Sequence, residues 1–355
     1  MPKIVVRPYL LLQGVALSMA HLCKRESAVL SFWLLLGFFL APSAMACSAV
    51  PAAVRDIEAN SYYTDTAHSI VDPQLKKKNE DAVKPLEEFT RAVSKEADRY
   101  LAKQDETAGR CAVQWMAAWA RDVAMLGTMR SQQAEYQRKW TLAGLSLAYL
   151  KTRSAADEQH RRVIEPWLDA LATRAEAFFD DHPNRTRNNH YYWVALAAGA
   201  TGFATNNEQH WLWARRAYQQ AMADIADDGT LPFELARAGR ALAYHNYALA
   251  PLIVLAELAQ SRGENWYAMR DGAIHRLVSK TVAGIRQPEI FQALTGKTQE
   301  GPEGNILGWV EFYDRRFPDR GAGALRTKNK HYVYPYLGGD LTELAQHWSR
   351  KVTLR

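Results

Sequence analysis

From about residue 82 onward, apolar residues recur at intervals of three and four in one segment after another, which commits most of the chain to helices that each hide an apolar stripe. In "CAVQWMAAWARDVAMLG" (111–127), Val113, Met116, Ala120 and Val123 share one stripe, and Trp115 and Trp119 share an adjacent one. "WTLAGLSLAYLK", "VIEPWLDALATRAEAFF", "YYWVALAAGATGFAT", "WLWARRAYQQAMADIA" and "ALAYHNYALAPLIVLAELA" repeat the pattern. Strand-like alternation is scarce until "HYVYPYLGG" near the end. Turn chemistry at "DHPNR", "TNNEQ", "DDGTLP" and "SRGEN" separates the helices by short loops. Short loops make antiparallel hairpins. The expected fold is all-α and a single domain: an (α/α) toroid, an incomplete barrel of helical hairpins, with a plain helical bundle sharing the same periodicity. No strict repeat is present, which argues against a short-repeat solenoid.

The first 46 residues read differently. Lys24 and Arg25 precede the apolar run "AVLSFWLLLGFFLA", and the small-residue stretch "SAMA" ends at Ala46. This is the layout of a secretory signal peptide, residues 1–46, with a run too short to span a membrane comfortably. Cleavage there leaves Cys47 and Cys111, since Cys23 departs with the signal. In an oxidising compartment the two are expected to form a disulfide. A lipidated Cys47 is the rival, but "AMAC" lacks the usual leucine three residues before the cysteine. The expected location is the periplasm, with no membrane attachment after cleavage. The remaining 40 basic and 37 acidic residues give a net charge of +3, which permits a polyanionic ligand without requiring one. A nucleic-acid partner is not expected, and the protein is expected to be a monomer.

Two clusters could carry chemistry. "RNNHYYW" (187–193) opens a helix, and Asn189, His190 and Trp193 fall on one face at spacings of three and four. Asn188 can cap that helix. In "ELARAGRALAYHNYAL" (234–249), Arg237 and Tyr244 are seven apart, two turns if the helix is continuous, a continuity that Pro232 and Gly239 leave open, with His245 and Asn246 following. The plainer reading packs Tyr244 and Tyr247 into the core. Arg185 and Arg187 precede the first cluster, where they either attract an anion or are simply solvated. His190 and His245 lack a clear third ligand, so no metal is expected, and no other cofactor is implied. Residues 61–81, "SYYTDTAHSIVDPQLKKKNED", mix aromatics and polar residues and read as an N-terminal arm or a candidate lid loop over a rigid scaffold.

"NNHYYW", then "ATN", then "DDGTLPFELARAGRALAYHNYALAPL", and finally "LGGDLT" resemble, in this order, the alginate lyase family, family 5 of the polysaccharide lyases; "YYTD" looks like the start of that family's lid. The likeness runs over nearly all of residues 47–345. It implies an (α/α) toroid that cleaves polyuronates, typically mannuronate-rich alginate, by β-elimination. Such a reaction must neutralise the C5 carboxylate, remove the C5 proton and protonate the departing O4. The resemblance gives Arg237 and Asn189 to the carboxylate and Tyr244 to the proton. His190 is implied as a carboxylate partner that, when protonated, supplies charge to the tyrosine, or as base for substrates of opposite C5 configuration. Trp193 is expected as a sugar platform or as packing, Tyr63 or Tyr62 as a lid contact, and His245 and Arg187 as further substrate contacts. The family often has an arginine before "LGGD", where this chain has Tyr336, and Ala243 beside Tyr244 is small; both leave open a broader specificity that reaches polyglucuronate or hyaluronan. Two rivals remain. A glycoside hydrolase needs two carboxylates across the scissile bond, with Asp227, Asp228 and Glu234 the nearest candidates. A non-catalytic periplasmic polysaccharide binder needs no Tyr244.

Overall fold

A computed structural model describes residues 47–49, 51–182, 187–301 and 304–353; the expected signal peptide and Arg185 lie outside them. Residues 46–355 pack as one unit. Its main helices are α1 (Pro73–Lys103), α2 (Glu106–Arg121), α3 (Gln132–Thr152), α4 (Glu158–Asp181), α5 (Asn189–Thr205), α6 (Glu208–Asp224), α7 (Pro232–Leu235), α8 (Ala241–Ser261), α9 (Met269–Arg286), α10 (Glu289–Thr295), α11 (Trp309–Arg316) and α12 (Leu341–Thr353). A two-residue antiparallel pair, Val333–Tyr334 with Gly339–Asp340, is the one sheet among the described residues.

Sequential helices pair as hairpins, α1 with α2, α3 with α4, α5 with α6 and α8 with α9. The first members of these pairs touch in turn, α1 to α3 to α5 to α8, and form an inner ring; α2, α4, α6 and α9 form an outer one. Helices α11 and α12 touch α8, and α12 also touches α1, bridging the ends of the ring. The fold is the expected (α/α) toroid. Burial explains which helices lie inside. In α5, residues 192–202 are buried without interruption, as are residues 248–259 of α8, so neither helix has a solvent face. The α2 helix keeps one polar face.

Helix ends follow their side chains. Asn206 takes the left-handed conformation at φ 57° to end α5, and the next residue, Asn207, caps α6 by accepting from Gln209 N. The α2 stripe ends before Val123: the chain leaves the helix at Arg121, and Val123 has φ 47° and is exposed. A second difference concerns residues 61–81. Asp72 accepts hydrogen bonds from Gln74 and Leu75 N with Pro73 at the first helical position, so α1 begins nine residues before the apolar pattern does. Its first turns are polar, with Lys76 and Lys77 paired to Glu80 and Asp81. Only residues 61–72 of the candidate lid are non-helical.

Residues 47–49 and 51–60 run against α2 and the loop after it. Cys47 and Cys111 are disulfide-bonded, Cα atoms 5.4 Å apart, as expected. Trp115 and Trp119 donate their indole N–H to the carbonyls of Ser48 and Pro51, and Ile57 pairs with Met129.

Candidate active site

The N-terminal turns of α1, α3, α5 and α8 surround a cleft of about 800 Å³. Four helix N-termini facing one space favour negative charge there, because their orphan N–H groups and aligned peptide dipoles are positive at that end.

Asn188 caps α5, its side chain accepting from His190 N at 2.9 Å. Asn189 is fully buried, and both its backbone N and its Nδ2 donate to one oxygen of Glu234, at 2.5 and 2.9 Å. Its Oδ1 has no protein partner. Arg237 Nε lies 3.6 Å from the other Glu234 oxygen. A wholly buried carboxylate therefore orients both residues expected to meet a uronate. Burial raises its pKa, and Arg237 and the Asn189 donors oppose the rise. In the sequence Glu234 reads as a hydrolase candidate or, more simply, as an acid in an early turn; its i, i+3 spacing to Arg237 was the available signal for the role it has.

His190 stacks on Tyr136 with ring centroids 3.6 Å apart and planes 13° apart. Burial holds its pKa well below the usual histidine value, and Lys139, Arg237 and His68 push it further down. The imidazole is therefore neutral near pH 7. It does not supply the positive charge expected of it; Arg237 and Arg240 are the charges near Tyr244. Its Nδ1 is buried without a protein partner.

Tyr244 turns into the cleft. Its hydroxyl is 2.7 Å from that of Tyr63, which accepts a 2.7 Å hydrogen bond from Arg240 Nη1. The guanidinium carbons of Arg237 and Arg240 lie 4.7 and 5.3 Å from the Tyr244 ring centre. Burial raises the Tyr244 pKa, as does the Tyr63 phenol where Tyr244 is the donor of their shared hydrogen bond, and the two arginines lower it. Tyr62 also lines the cleft, its ring 4.7 Å from that of Tyr63. The loop carrying them is a small hairpin closed by a Tyr63–Val71 bridge. Asp65 fastens its turn by accepting from Ser69 and Ile70 N, and these donors lower its pKa to about 2.

Three expectations fail. Trp193 is fully buried, one turn deeper than Asn189, and packs on Tyr247 and Tyr334 rather than facing sugar. His245 is one residue beyond Tyr244 and so points about 100° away on the helix. It is buried against Phe291, accepts from Leu231 N and donates to Ala241 O, with its pKa held down to about 4 by burial. It fixes the turn before Arg237. Arg187 is paired with Asp224 and lies outside the cleft lining.

Helix α3 contributes residues that the sequence reading missed. Gln132, Tyr136 and Trp140 are spaced by four and line the cleft, and that polar-aromatic stripe was the signal. Lys139 beside them is fully buried, its ammonium 3.6 Å from the Trp140 ring centre, and burial depresses its pKa. Of the hydrolase candidates, Asp227 and Asp228 line a separate hollow, and Glu234 is sealed beneath Arg237. Among the described residues no three metal-ligating side chains gather at one point.

The family model described as alginate lyase matches residues 56–291. A polysaccharide lyase of Stenotrophomonas maltophilia is 45% identical over 313 residues, covering 87% of this chain and 94% of the relative. An alginate lyase of Azotobacter vinelandii is 33% identical over 85% of this chain and 84% of its own. Alginate lyase A1-III from Sphingomonas species A1 superposes with a TM-score of 0.73 at 26% identity, over 84% of this chain and 86% of that one. A histidine-to-alanine variant of alginate lyase A1-III complexed with a tetrasaccharide gives a TM-score of 0.76 at 26% identity, over 84% and 85%.

Proposed function

The chain belongs to the alginate lyase family, and on that premise we propose that it cleaves 1,4-linked polyuronate by β-elimination, with a mannuronate-type ring at the reacting position. In this reading Arg237 and Asn189 Nδ2 face the C5 carboxylate and stabilise the charge that builds on it as the C5 proton leaves. Neutral His190 offers a further hydrogen bond. Tyr244, as phenolate, takes the C5 proton; the electron pair forms the C4=C5 bond, the C4–O4 bond breaks, and the proton on Tyr244 passes to O4. In mannuronate the C5 hydrogen and O4 lie on one side of the ring, so a single group serves both transfers. Glucuronate differs from mannuronate only at C2 and satisfies the same geometry.

The carrying observation is the Arg240–Tyr63–Tyr244 chain of hydrogen bonds. Arginine only donates, so the Tyr63 oxygen accepts from it, leaving the Tyr63 O–H free to support a Tyr244 phenolate. A phenol whose pKa burial has raised needs that support. The same reading makes Tyr62 and Tyr63 a lid contact and the protein an exported, periplasmic monomer. The leader-like N-terminus and the Cys47–Cys111 disulfide support the compartment.

Replacing Tyr244 with Phe tests the proposal. Turnover, read as ultraviolet absorbance of the new C4=C5 bond on polymannuronate, is expected to fall by about 10²–10⁴-fold while oligosaccharide affinity stays near wild type. Unchanged turnover would discard Tyr244 as the proton carrier, and new reducing ends without the absorbance would discard elimination.

A further inference from the structure

With Trp193 sealed in the core, the cleft is without the sugar platform expected of it, and most of its aromatic rings are engaged with one another. Tyr136 stacks on His190, Tyr62 lies against Tyr63, and Trp140 packs on Tyr247 and Tyr336. Phe233 differs from all of these. It lines the cleft and is 51% exposed, and its ring meets no other aromatic ring among the described residues. Among those residues it is the one large apolar side chain that is both exposed and part of the cleft wall.

The chain holds it there. Phe233 belongs to α7, whose start is fixed from two sides: His245 Nε2 accepts from Leu231 N at 2.8 Å, and Glu234 N and Leu235 N donate to Leu231 O at 3.0 and 2.8 Å. Ala236 N and Arg237 N donate to Pro232 O and Glu234 O, both at 3.1 Å, so the turn runs on past Ala236. Residues four apart on such a turn share a face, which sets Phe233 beside Arg237. Glu234, the next residue, points into the protein, where it holds Asn189. One face of the turn therefore presents a guanidinium and an apolar ring to the cleft. Arg237 is 8% exposed, so the cation lies deeper and the ring stands toward the mouth.

A polyuronate matches both groups. Its carboxylates call for a cation, and its pyranose rings carry C–H groups on faces that can lie against an aromatic side chain. We propose that Phe233 is a substrate-binding residue, an aromatic platform for the sugar that adjoins the ring whose carboxylate meets Arg237. The proposal rests on the polyuronate reading and adds the contact that holds the chain beside the reacting ring. A ring already fixed by its turn gives up little conformational freedom on binding. The neighbouring sugar changes neither charge nor bonding during the reaction, so the contact is equal in the bound substrate and the transition state. Its loss raises KM and leaves kcat.

Phe233→Ala is expected to raise KM on polymannuronate about five- to tenfold, the scale of uncovering half of a phenylalanine ring, with kcat within about twofold of wild type. Phe233→Tyr, which keeps the ring, should recover most of the loss. A KM for Phe233→Ala within about twofold of wild type overturns the proposal, as does Phe233→Tyr being equally impaired. A fall in kcat that matches or exceeds the rise in KM also overturns it, because Phe233 would then be bracing Glu234 rather than holding sugar. Calorimetric binding of a mannuronate tetrasaccharide to Tyr244→Phe, with and without Phe233→Ala, reads the contact without turnover. Weaker binding in the double variant, with no double-bond absorbance from the wild type on polymannuronate, would sink the elimination reading and leave the platform standing. Equal binding overturns the platform whatever the lyase assay gives.

Discussion

Glu234 ties the binding of a carboxylate to pH. Its buried carboxylate holds Asn189 and Arg237 only when ionised, because a protonated acid loses most of its attraction for a guanidinium. Burial raises its folded pKa above the ordinary 4.5. A carboxyl with a raised folded pKa contributes stability that is full below the unfolded pKa and lost as pH rises through the folded value. Activity runs the other way, since the ionised form positions the substrate partners. As pH climbs from about 4.5 through the folded value, this group is expected to lower stability while kcat/KM increases. Parallel kcat/KM profiles and denaturant midpoints would show the two trends crossing. In Glu234→Gln an amide N–H₂ faces either Asn189 or Arg237, so kcat/KM should fall about a hundredfold and its acidic limb should move. An acidic limb in the same place in the variant assigns it to another group.

The inner helices explain what the sequence could and could not disclose. Their existence and order, and most of their ends, were legible from spacing and turn residues; the placing of Asn189, Arg237 and Tyr244 around one cleft came from the resemblance to the alginate lyase family, because spacing alone left Tyr244 as readily in the core. Trp193 and His245 were misread because α5 and α8 are apolar on every side: spacing says which residues share a face, but such a helix has no solvent face to tell cleft from core. Depth along the helix decided it, since the cleft is lined by the first turns. The start of α1 was hidden for the opposite reason, its early turns being polar all round. Tyr336 reaches the cleft through a close approach between elements. A methyl on Gly144 of α3 would sit 2.4 Å from the Pro335 carbonyl and 3.1 Å from Tyr336 Cα. Gly144→Ala should therefore push the 335–337 turn outward, costing about 1–3 kcal/mol less the roughly 1 kcal/mol gained in helix propensity, and should change KM through Tyr336. Gly301→Ala, with open space around it, should change the unfolding free energy read from urea titration by no more than about 0.5 kcal/mol. Equal effects from both would show that the turn yields freely.

At the scale of the whole molecule, the toroid is a ring whose N-terminal strap leads directly to the tyrosines of the cleft. The disulfide between Cys47 and Cys111 anchors the strap's beginning, with a sequence separation of 64. Closing a loop of that length restricts the unfolded chain by about 4 kcal/mol on the chain-entropy account. Between the disulfide and Tyr62, however, the strap is held independently: Met125 N and Gly127 N donate to the carbonyls of Val54 and Arg55, Trp115 and Trp119 donate to those of Ser48 and Pro51, and Ile57 pairs with Met129. These contacts survive reduction because none involves sulfur. Replacing both cysteines with alanine should therefore lower the unfolding midpoint substantially while leaving room-temperature kcat/KM within about twofold of wild type, since the lid base remains fixed by the hydrogen bonds downstream. Thermal unfolding and the lyase assay on one preparation separate the effects. Activity that fails while the helical circular dichroism signal persists would mean that the strap transmits the loss of its anchor to Tyr62 and Tyr63, and that the disulfide tensions the cleft as well as stabilising the fold.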